Sequence, residues 1–243
     1  MSTIQPNYLL WGTVGVLKMQ RAVLSKKINE LANKILKNHL NVSDVFLNRA
    51  DSVSYYQGPN LPEKQLVLIR FVKHNENNSQ LNEEHVSLLL DEFQRSMYGL
   101  VNMLEDDATD YISHSGALTK AFQFLATISP SLFSKISTCP PVDRDSHLGK
   151  KITFNNFPLT DNVELFWVGK HDEAITKNGK KIIIRGMKVK LYHPKTNSWT
   201  WVIVNRKGNI IAFEHHVFWN FEKGARETQM WLHDQWILAQ KLI

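Results

Sequence analysis

The amino-acid sequence predicts an α+β protein, with an N-terminal mostly helical region followed by a C-terminal antiparallel β-meander closed by a terminal helix. Three observations support this prediction. Apolar residues at helical spacing dominate residues 1–138, which also contain one or two candidate strands. A polar, proline-rich segment at 139–150 is typical of a linker or long loop. Residues 151–243 contain short β-rich runs, as a second domain or as part of one compact domain.

The first predicted helix covers residues 14–38. Its apolar residues recur three, four and seven positions apart, and polar residues lie on the opposite side, as in a surface helix packed on a core. The run QLVLIRFV at 65–72 predicts a buried strand, because it has strand length and many β-branched residues. The apolar stripe of the helix consists of Leu17, Leu24, Ile28, Leu31 and Ile35.

A second long helix is predicted from Asn82, because asparagine is a favoured N-cap and Glu83 and Glu84 would lie in the first turn. A third helix is predicted at about 115–128, ending before Pro130. The apolar face of the second helix would consist of Val86, Leu89, Leu90, Phe93, Met97, Leu100, Val101 and Leu104.

Four runs beyond the linker have strand length and β-rich composition: NVELFWVG, KKIIIRGMKVKLY, SWTWVIV and NIIAFE. The segments TKNGKK and NRKG between them carry the Asn and Gly residues that tight hairpin turns require. Because the runs are close in sequence, they predict an antiparallel meander. From about residue 221 to the end, apolar residues such as Trp231 and Leu238 predict a closing helix.

The net charge of +6 arises entirely in the C-terminal part of the chain. Residues 1–144 contain 14 Lys and Arg and 14 Asp and Glu, whereas residues 145–243 contain 15 and 9. This asymmetry favours a polyanionic partner for the C-terminal sheet. A lysine-rich face that only keeps the protein in solution would have the same composition.

The register between two predicted strands decides whether Trp199 and Trp201 lie on a basic surface or in the core. Lys188 and Lys190 lie on one face of the first strand, with Leu191 on the other, and Trp199 and Trp201 share a face of the next. Tryptophans on the lysine face would form a basic, aromatic surface that can stack the bases of a single strand. Tryptophans on the Leu191 face would belong to the core. The sequence leaves both registers open.

The predicted function is non-enzymatic nucleic-acid binding, in which a basic C-terminal sheet contacts the phosphate backbone. Lysines and arginines at the hairpin turns support this in either register. The charge is not accompanied by a zinc-finger, helix-turn-helix or RNP motif, so DNA and RNA are not distinguished. The predicted nucleic-acid-binding residues are Lys177, Lys180, Lys181, Arg185, Lys188, Lys190, Lys195, Trp199, Trp201, Arg206 and Lys207.

A metal-dependent nuclease using His216 and His233 is a further alternative. Imidazoles together with a carboxylate such as Glu214 suit divalent metals. The spacing departs from that of ββα-metal nucleases, because Asn220 follows His216 by only four residues. The adjacent His215 and His216 also point to opposite faces of a regular strand. We therefore expect no catalytic residue, no bound metal and no cofactor.

A protein-interaction or assembly subunit is the first alternative to nucleic-acid binding. The charge-balanced helical half would supply the contact surface for a homo-oligomer or another protein. Seven tryptophans and twelve phenylalanines provide enough aromatic surface for such an interface. Salt-sensitive nucleic-acid binding would distinguish the two functions.

The remaining features of the composition bear on where in the cell the protein is found. One cysteine, Cys139, excludes an internal disulfide framework and a cysteine-rich zinc site. The sequence contains no apolar run of the length that a membrane-spanning helix needs, and its first residues lack the pattern of a secretory signal. We therefore expect a soluble cytoplasmic protein without a membrane partner.

Overall fold

The computed structural model describes residues 19–59, 61–73, 81–93, 96–104, 109–137, 162–177 and 179–242. These residues form one sheet of eleven strands, with short helices beside it. The predicted α+β class with a helical N-terminal region is wrong, because the described residues between 19 and 104 form five strands and a single α-helix that continues into a π-helical turn. The linker predicted at 139–150 lies outside the described residues.

The strands are β1 (Met19–Arg21), β2 (Val45–Tyr55), β3 (Lys64–Lys73), β4 (His85–Asp91), β5 (Ser96–Asn102), β6 (Ile136–Ser137), β7 (Val163–Lys177), β8 (Lys180–His193), β9 (Ser198–Val204), β10 (Ile210–Asn220) and β11 (Ala225–Arg226). The helices are α1 (Lys26–Ile35), α2 (His114–Ile128), α3 (Pro130–Phe133) and α4 (Asp234–Ala239). A π-helical turn at Leu36–Leu40 continues α1.

Two four-stranded meanders build the sheet. The strand order is β1-β2-β3-β4-β5-β10-β9-β8-β7-β6, and β11 pairs with β10. Strands β2–β5 form the first meander and β7–β10 the second, and the two meet where β5 pairs antiparallel with β10. Helix α1 precedes the first meander and α2 precedes the second. The four C-terminal runs predicted as strands lie in β7, β8, β9 and β10.

The long helix predicted from Asn82 is wrong, because its residues form the β4–β5 hairpin instead. Every residue of β4 is buried, since the sheet is covered on both faces. Leu88 and Leu90 join one core and Leu89 joins the other. A strand buried on both faces has consecutive apolar residues, and these also satisfy helical spacing by coincidence.

The helices are shorter than most of those predicted. Within the first predicted helix, the described residues form β1 and then α1, which begins after Ser25, whose Oγ accepts a hydrogen bond from the Ile28 N–H at 3.4 Å. The third predicted helix is confirmed as α2. The closing helix is only the six residues of α4, because residues 221–233 form turns and β11.

The sheet curls strongly. Four strands separate β4 from β7 in the sheet order, which in a flat sheet would place them roughly 24 Å apart. Nevertheless the Thr176 N–H donates to the carbonyl of Asn82 at 2.6 Å. Lys73 and Lys177 also pair with the buried Glu84 carboxylate at 3.0 and 3.1 Å. The far end of the β7–β8 hairpin therefore returns to the start of β4.

This curl gives the sheet an inner and an outer face. The outer face carries Ile69, Leu88 and Val202 and packs against α1 and α2. The inner face carries Leu89 and Ile203 and packs against the C-terminal segment, residues 225–239. Both faces are thus hydrophobic, which explains why the strands lack a clear alternation of apolar and polar residues.

Aromatic packing seats the C-terminal segment on the inner face. The rings of Trp231 and Trp236 are edge to face with centroids 5.1 Å apart, and the Trp231 indole N–H donates to the Ser54 carbonyl at 2.6 Å. Leu232 lies directly over Gly99, where a Cβ atom would come within 2.5 Å of the Leu232 Cδ1. A larger residue at Gly99 would therefore require the Leu232 side chain to move.

Two buried ion pairs fix the same segment. Arg70 donates to the Asp234 carboxylate at 2.7 Å, and Arg226 donates to the Glu214 carboxylate at 2.5 Å. His233 is 3.0 Å from the second oxygen of Glu214. Burial opposes ionisation of Glu214, but the charges of Arg226 and His233 outweigh it and hold the pKa of Glu214 well below its usual range.

Substitution of Arg226 tests the contribution of the inner pair. Arg226→Ala leaves the Glu214 carboxylate buried beside His233 alone, and we expect the free energy of unfolding to fall by about 3–5 kcal/mol. Arg226→Met combined with Glu214→Leu should recover most of this loss, because no charge remains buried at positions 214 and 226. Urea denaturation measures both effects. A matched control is Lys26→Ala, which removes only an exposed pair with Glu30 and should leave the urea midpoint unchanged.

Candidate anion-binding pocket

A cavity of about 220 Å³ lies between the segment that follows α2 and the adjoining ends of β8 and β10. We call it the histidine pocket. None of the described residues that line it is acidic. Its polar lining residues are Ser129, Ser131, Lys135, Asn162, His193, Lys195, Thr196, His215 and His216.

The meander explains why the histidines meet. Strands β8 and β10 run in the same direction on either side of β9, so their C-terminal ends lie at one edge of the sheet. His193 is the last residue of β8, and His215 and His216 lie near the end of β10. The turn that follows His193 places Lys195 at the same edge.

A β-bulge turns both adjacent histidines toward the pocket. The pairing of β10 with β9 shifts between Glu214 and Val217, and His216 has a left-handed backbone with φ of 56°. The imidazole centroids of His215 and His216 are consequently only 3.9 Å apart. The expectation that these two side chains point to opposite faces is wrong, because it assumed a regular strand.

The Thr200 hydroxyl links two of the imidazoles. Its Oγ1 is 2.7 Å from His193 Nε2 and 2.7 Å from His215 Nδ1. A hydroxyl has only one proton to donate, so at least one of the two imidazoles must donate its N–H to Thr200. The His193–Thr200–His215 chain therefore couples the tautomers of the two rings. The Ser198 hydroxyl is 3.4 Å from His216 Nδ1 and orients the third ring.

Burial and positive neighbours keep the three imidazoles neutral at pH 7. Burial, then the interactions with His216 and Lys135, lower the pKa of His193 to about 3. Burial, then Lys64 and Lys135, lower the pKa of His216 to about 4. Burial and the two neighbouring histidines lower the pKa of His215 well below its usual range. The pocket thus has a positive potential without a protonated histidine.

The lining suits an oxygen-rich anion. Two lysines supply positive charge, and the hydroxyls of Ser129, Ser131 and Thr196 can donate hydrogen bonds. The cavity is smaller than the roughly 300–1,000 Å³ of pockets that enclose drug-sized ligands. It therefore fits an anionic head group whose remainder stays outside. In the described part of the chain, no group of three or more His, Cys, Asp or Glu side chains is arranged to hold a metal ion.

The structure answers the register question for the tryptophans. Lys190 pairs with Trp201 and Tyr192 with Trp199, so both tryptophans lie on the lysine face. This is the inner face, however, and Trp199 and Trp201 are only 2% and 8% exposed. The Lys188 and Lys190 ammonium groups lie 3.9 and 3.8 Å from the centroids of the Trp201 and Trp199 rings. These rings pack against lysines and are not open to a stacking base.

Several other predicted basic residues make contacts within the protein. Lys177 pairs with Glu84, as described above. Arg185 donates to the Thr109 carbonyl, and Arg206 donates to the Tyr111 carbonyl at 3.2 Å, so both hold the segment before α2. These contacts give each side chain a structural role.

The predicted basic residues do not converge on one site. Lys180 and Lys181 are exposed at the turn of the β7–β8 hairpin, and Lys207 is exposed after β9. Of the predicted set, Lys195 alone lines the histidine pocket.

The residues of the nuclease hypothesis are not brought together. Glu214 and His233 contact each other on the inner face, where Glu214 pairs with Arg226. His216 lies at the histidine pocket, on the outer side of the sheet. Asn220 donates to Glu227 at 3.0 Å, away from both.

Sequence reasoning missed His193 and Lys135 as site residues. Lys135 comes from a segment remote in sequence, so its position depends on how α2 and α3 pack. His193 was within reach of a sequence argument, because alternate strands of a predicted meander end at the same edge.

Comparisons with known proteins leave the geometry as the basis for a function. The chain matches no family model, and no curated protein or solved structure resembles it at a significant level. In the described part of the chain, no helix is long and apolar enough to cross a membrane.

Acidification below pH 6.5 should destabilise the protein. The pKa values of His85, His193 and His216 are lowered to about 4, 3 and 4, whereas in the unfolded chain they lie near 6.5. The unfolded state therefore binds more protons between pH 6.5 and 4, and each histidine contributes a slope of up to about 1.4 kcal/mol per pH unit. Urea denaturation at pH 6.5, 5.5 and 5.0 measures the slope.

A His193 variant tests the same pH dependence of stability, and His233 should contribute with the opposite sign. His193→Gln should reduce the slope by about one proton. The pKa of His233 is raised, because Glu214 outweighs the effect of burial, so its stabilisation is lost as the pH rises above 6.5. A free energy of unfolding that stays constant from pH 6.5 to 5.0 would contradict the assignment of neutral, buried histidines.

Proposed function

We propose that the protein binds nucleic acid without catalysing a reaction, through phosphate contacts centred on the histidine pocket. The observation that carries this proposal is the lining of the pocket, which combines two lysines and three imidazoles with no described carboxylate. Lysines and hydroxyls are common phosphate ligands in protein–nucleic acid interfaces. An intracellular location, consistent with a single cysteine, belongs to the same proposal.

The distribution of charge favours a polymer over a small anion. Residues 145–243 contain 15 Lys and Arg against 9 Asp and Glu. Lys180 and Lys181 lie at the opposite end of β8 from His193, roughly 40 Å away along an extended strand. A single phosphate cannot contact both ends, whereas a polyanion of several nucleotides can reach from the pocket toward the hairpin turn.

Salt dependence and charge neutralisation test the proposal. The protein should bind a short single-stranded oligonucleotide at low salt and lose affinity steeply as salt is added, because binding releases condensed counterions. Lys135→Ala combined with Lys195→Ala should lower the affinity at least about tenfold and reduce the salt slope by about 1.4, the value for two phosphate contacts to a single strand. Fluorescence anisotropy at several salt concentrations measures both.

Two matched pairs of substitutions locate the contact. Lys180→Ala with Lys181→Ala removes the same charge at the hairpin turn, and Lys26→Ala with Lys27→Ala removes it on α1. We expect the α1 pair to have the smallest effect and the pocket pair the largest. If the pocket pair and the α1 pair weaken binding equally, only net charge matters. An oligonucleotide that does not bind at low salt would end the proposal.

Assembly with another protein is a second candidate function, favoured by exposed aromatic side chains. Trp219 and Phe221, at the end of β10, are 41% and 48% exposed, and Phe93 is 88% exposed. A mass that rises with protein concentration, and that returns to the monomer mass in Trp219→Ser, would favour this function if nucleic acid does not bind. A monomer at all concentrations would remove it.

A further inference from the structure

We infer that the histidine pocket accepts a terminal phosphomonoester, the phosphate at the end of a nucleic-acid chain, in preference to an internal phosphodiester. This inference rests on the proposed function and names the part of the ligand that enters the pocket. Three features carry it: the size of the cavity, its surplus of donors, and the hydrogen-bonded His193–Thr200–His215 chain.

The size and the donors favour the end of a chain. The open pocket of about 220 Å³ has room for one phosphate head group, whereas an internal phosphodiester also needs room for the chain to leave in two directions. A terminal phosphate presents three acceptor oxygens and a charge of about −1.5 to −2. Lys135, Lys195 and the hydroxyls of Ser129, Ser131 and Thr196 can satisfy more than the two free oxygens of a diester.

The imidazoles match a ligand that exchanges a proton. A neutral imidazole offers both an N–H donor and an unprotonated nitrogen. A terminal phosphomonoester has a second ionisation near pH 6, whereas a diester has none in this range. A proton that reaches His193 can pass through the Thr200 hydroxyl to His215, because both contacts are 2.7 Å. The pocket can therefore take up a proton as the dianion enters, which increases the charge attraction.

The two lysines that affect the imidazoles, Lys64 and Lys135, both oppose their protonation. Burial, then the charges of Lys64 and Lys135, lower the pKa of His216. The Lys64 ammonium group is itself paired with the buried Asp91 carboxylate at 2.6 Å. The centroids of the Tyr98 and His215 rings are 6.3 Å apart. The Tyr55 hydroxyl donates to the His215 carbonyl at 2.8 Å and fixes the backbone. Positive neighbours oppose protonation of the imidazoles, and a bound dianion would offset that effect.

The decisive experiment compares three oligonucleotides of one sequence, with a 5′-phosphate, a 3′-phosphate or hydroxyl groups at both ends. Titration calorimetry with the full chain at pH 8.0 and 6.5 should show at least about tenfold tighter binding of a phosphorylated end. Binding should strengthen about threefold or more at pH 6.5, with net proton uptake revealed by buffers of different ionisation enthalpy.

The matched variant is His193→Gln with His215→Gln, which keeps hydrogen-bonding groups but removes the titration. It should lose both the preference for a phosphorylated end and the proton uptake, so that the three oligonucleotides bind the variant with the same affinity. Equal affinity of the parent protein for all three oligonucleotides would overturn the inference and leave nucleic-acid binding intact. A variant that keeps the preference would overturn it as well.

If no oligonucleotide binds, the nucleic-acid proposal is ended. Inorganic phosphate then tests the phosphomonoester site independently. The pocket is then tested by thermal unfolding in phosphate and in sulfate, which cannot exchange a proton in this pH range. A larger rise of Tm in phosphate than in sulfate, absent from the His193→Gln, His215→Gln variant, would support a phosphomonoester site. An equal rise in both salts, or none, would overturn it.

Discussion

The buried contact between Glu214 and Arg226 is the interaction on which the rest of the structure depends. It joins the middle of β10 to the C-terminal segment, and His233 holds the second carboxylate oxygen. The pair therefore holds the C-terminal segment against the inner face of the sheet and keeps the Glu214 side chain on that face. The bulge begins at the next residue and turns His215 and His216 outward. One carboxylate thus sets both the docking of the C-terminal segment and the starting point of the histidine pocket.

Closely spaced imidazoles are stable at this position only in the neutral form. The three rings lie at one edge of the sheet near Lys64 and Lys135. Protonation of any ring is therefore opposed by nearby positive charge. The Thr200 hydroxyl satisfies two ring nitrogens without introducing a negative charge. The result is a polar, positive cavity that an incoming anion neutralises. This electrostatic balance, more than the number of lysines, distinguishes the pocket from an ordinary basic surface.

The sequence predicted the C-terminal meander better than the N-terminal half, for a physical reason. Strands β7 to β10 are separated by turns with Asn and Gly, so their boundaries are visible. The β4–β5 hairpin is buried on both faces, and Val86 to Leu90 fit helical and extended periodicities equally. Of the candidate site, the sequence indicated the basic region and the His215–His216 pair. It assigned Lys188 and Lys190 to nucleic acid, although they lie over buried tryptophans.

The sequence by itself determined the location of the charge excess, the consecutive C-terminal strands and the absence of a cysteine-rich site, because these depend on composition and local patterns. Tertiary structure alone decided that β5 pairs with β10, that the sheet curls until Thr176 reaches Asn82, and that Lys135 joins three histidines. Those outcomes depend on contacts between segments far apart in the chain. Register, bulges and curl arise from the simultaneous packing of both faces of the sheet, which no local pattern encodes.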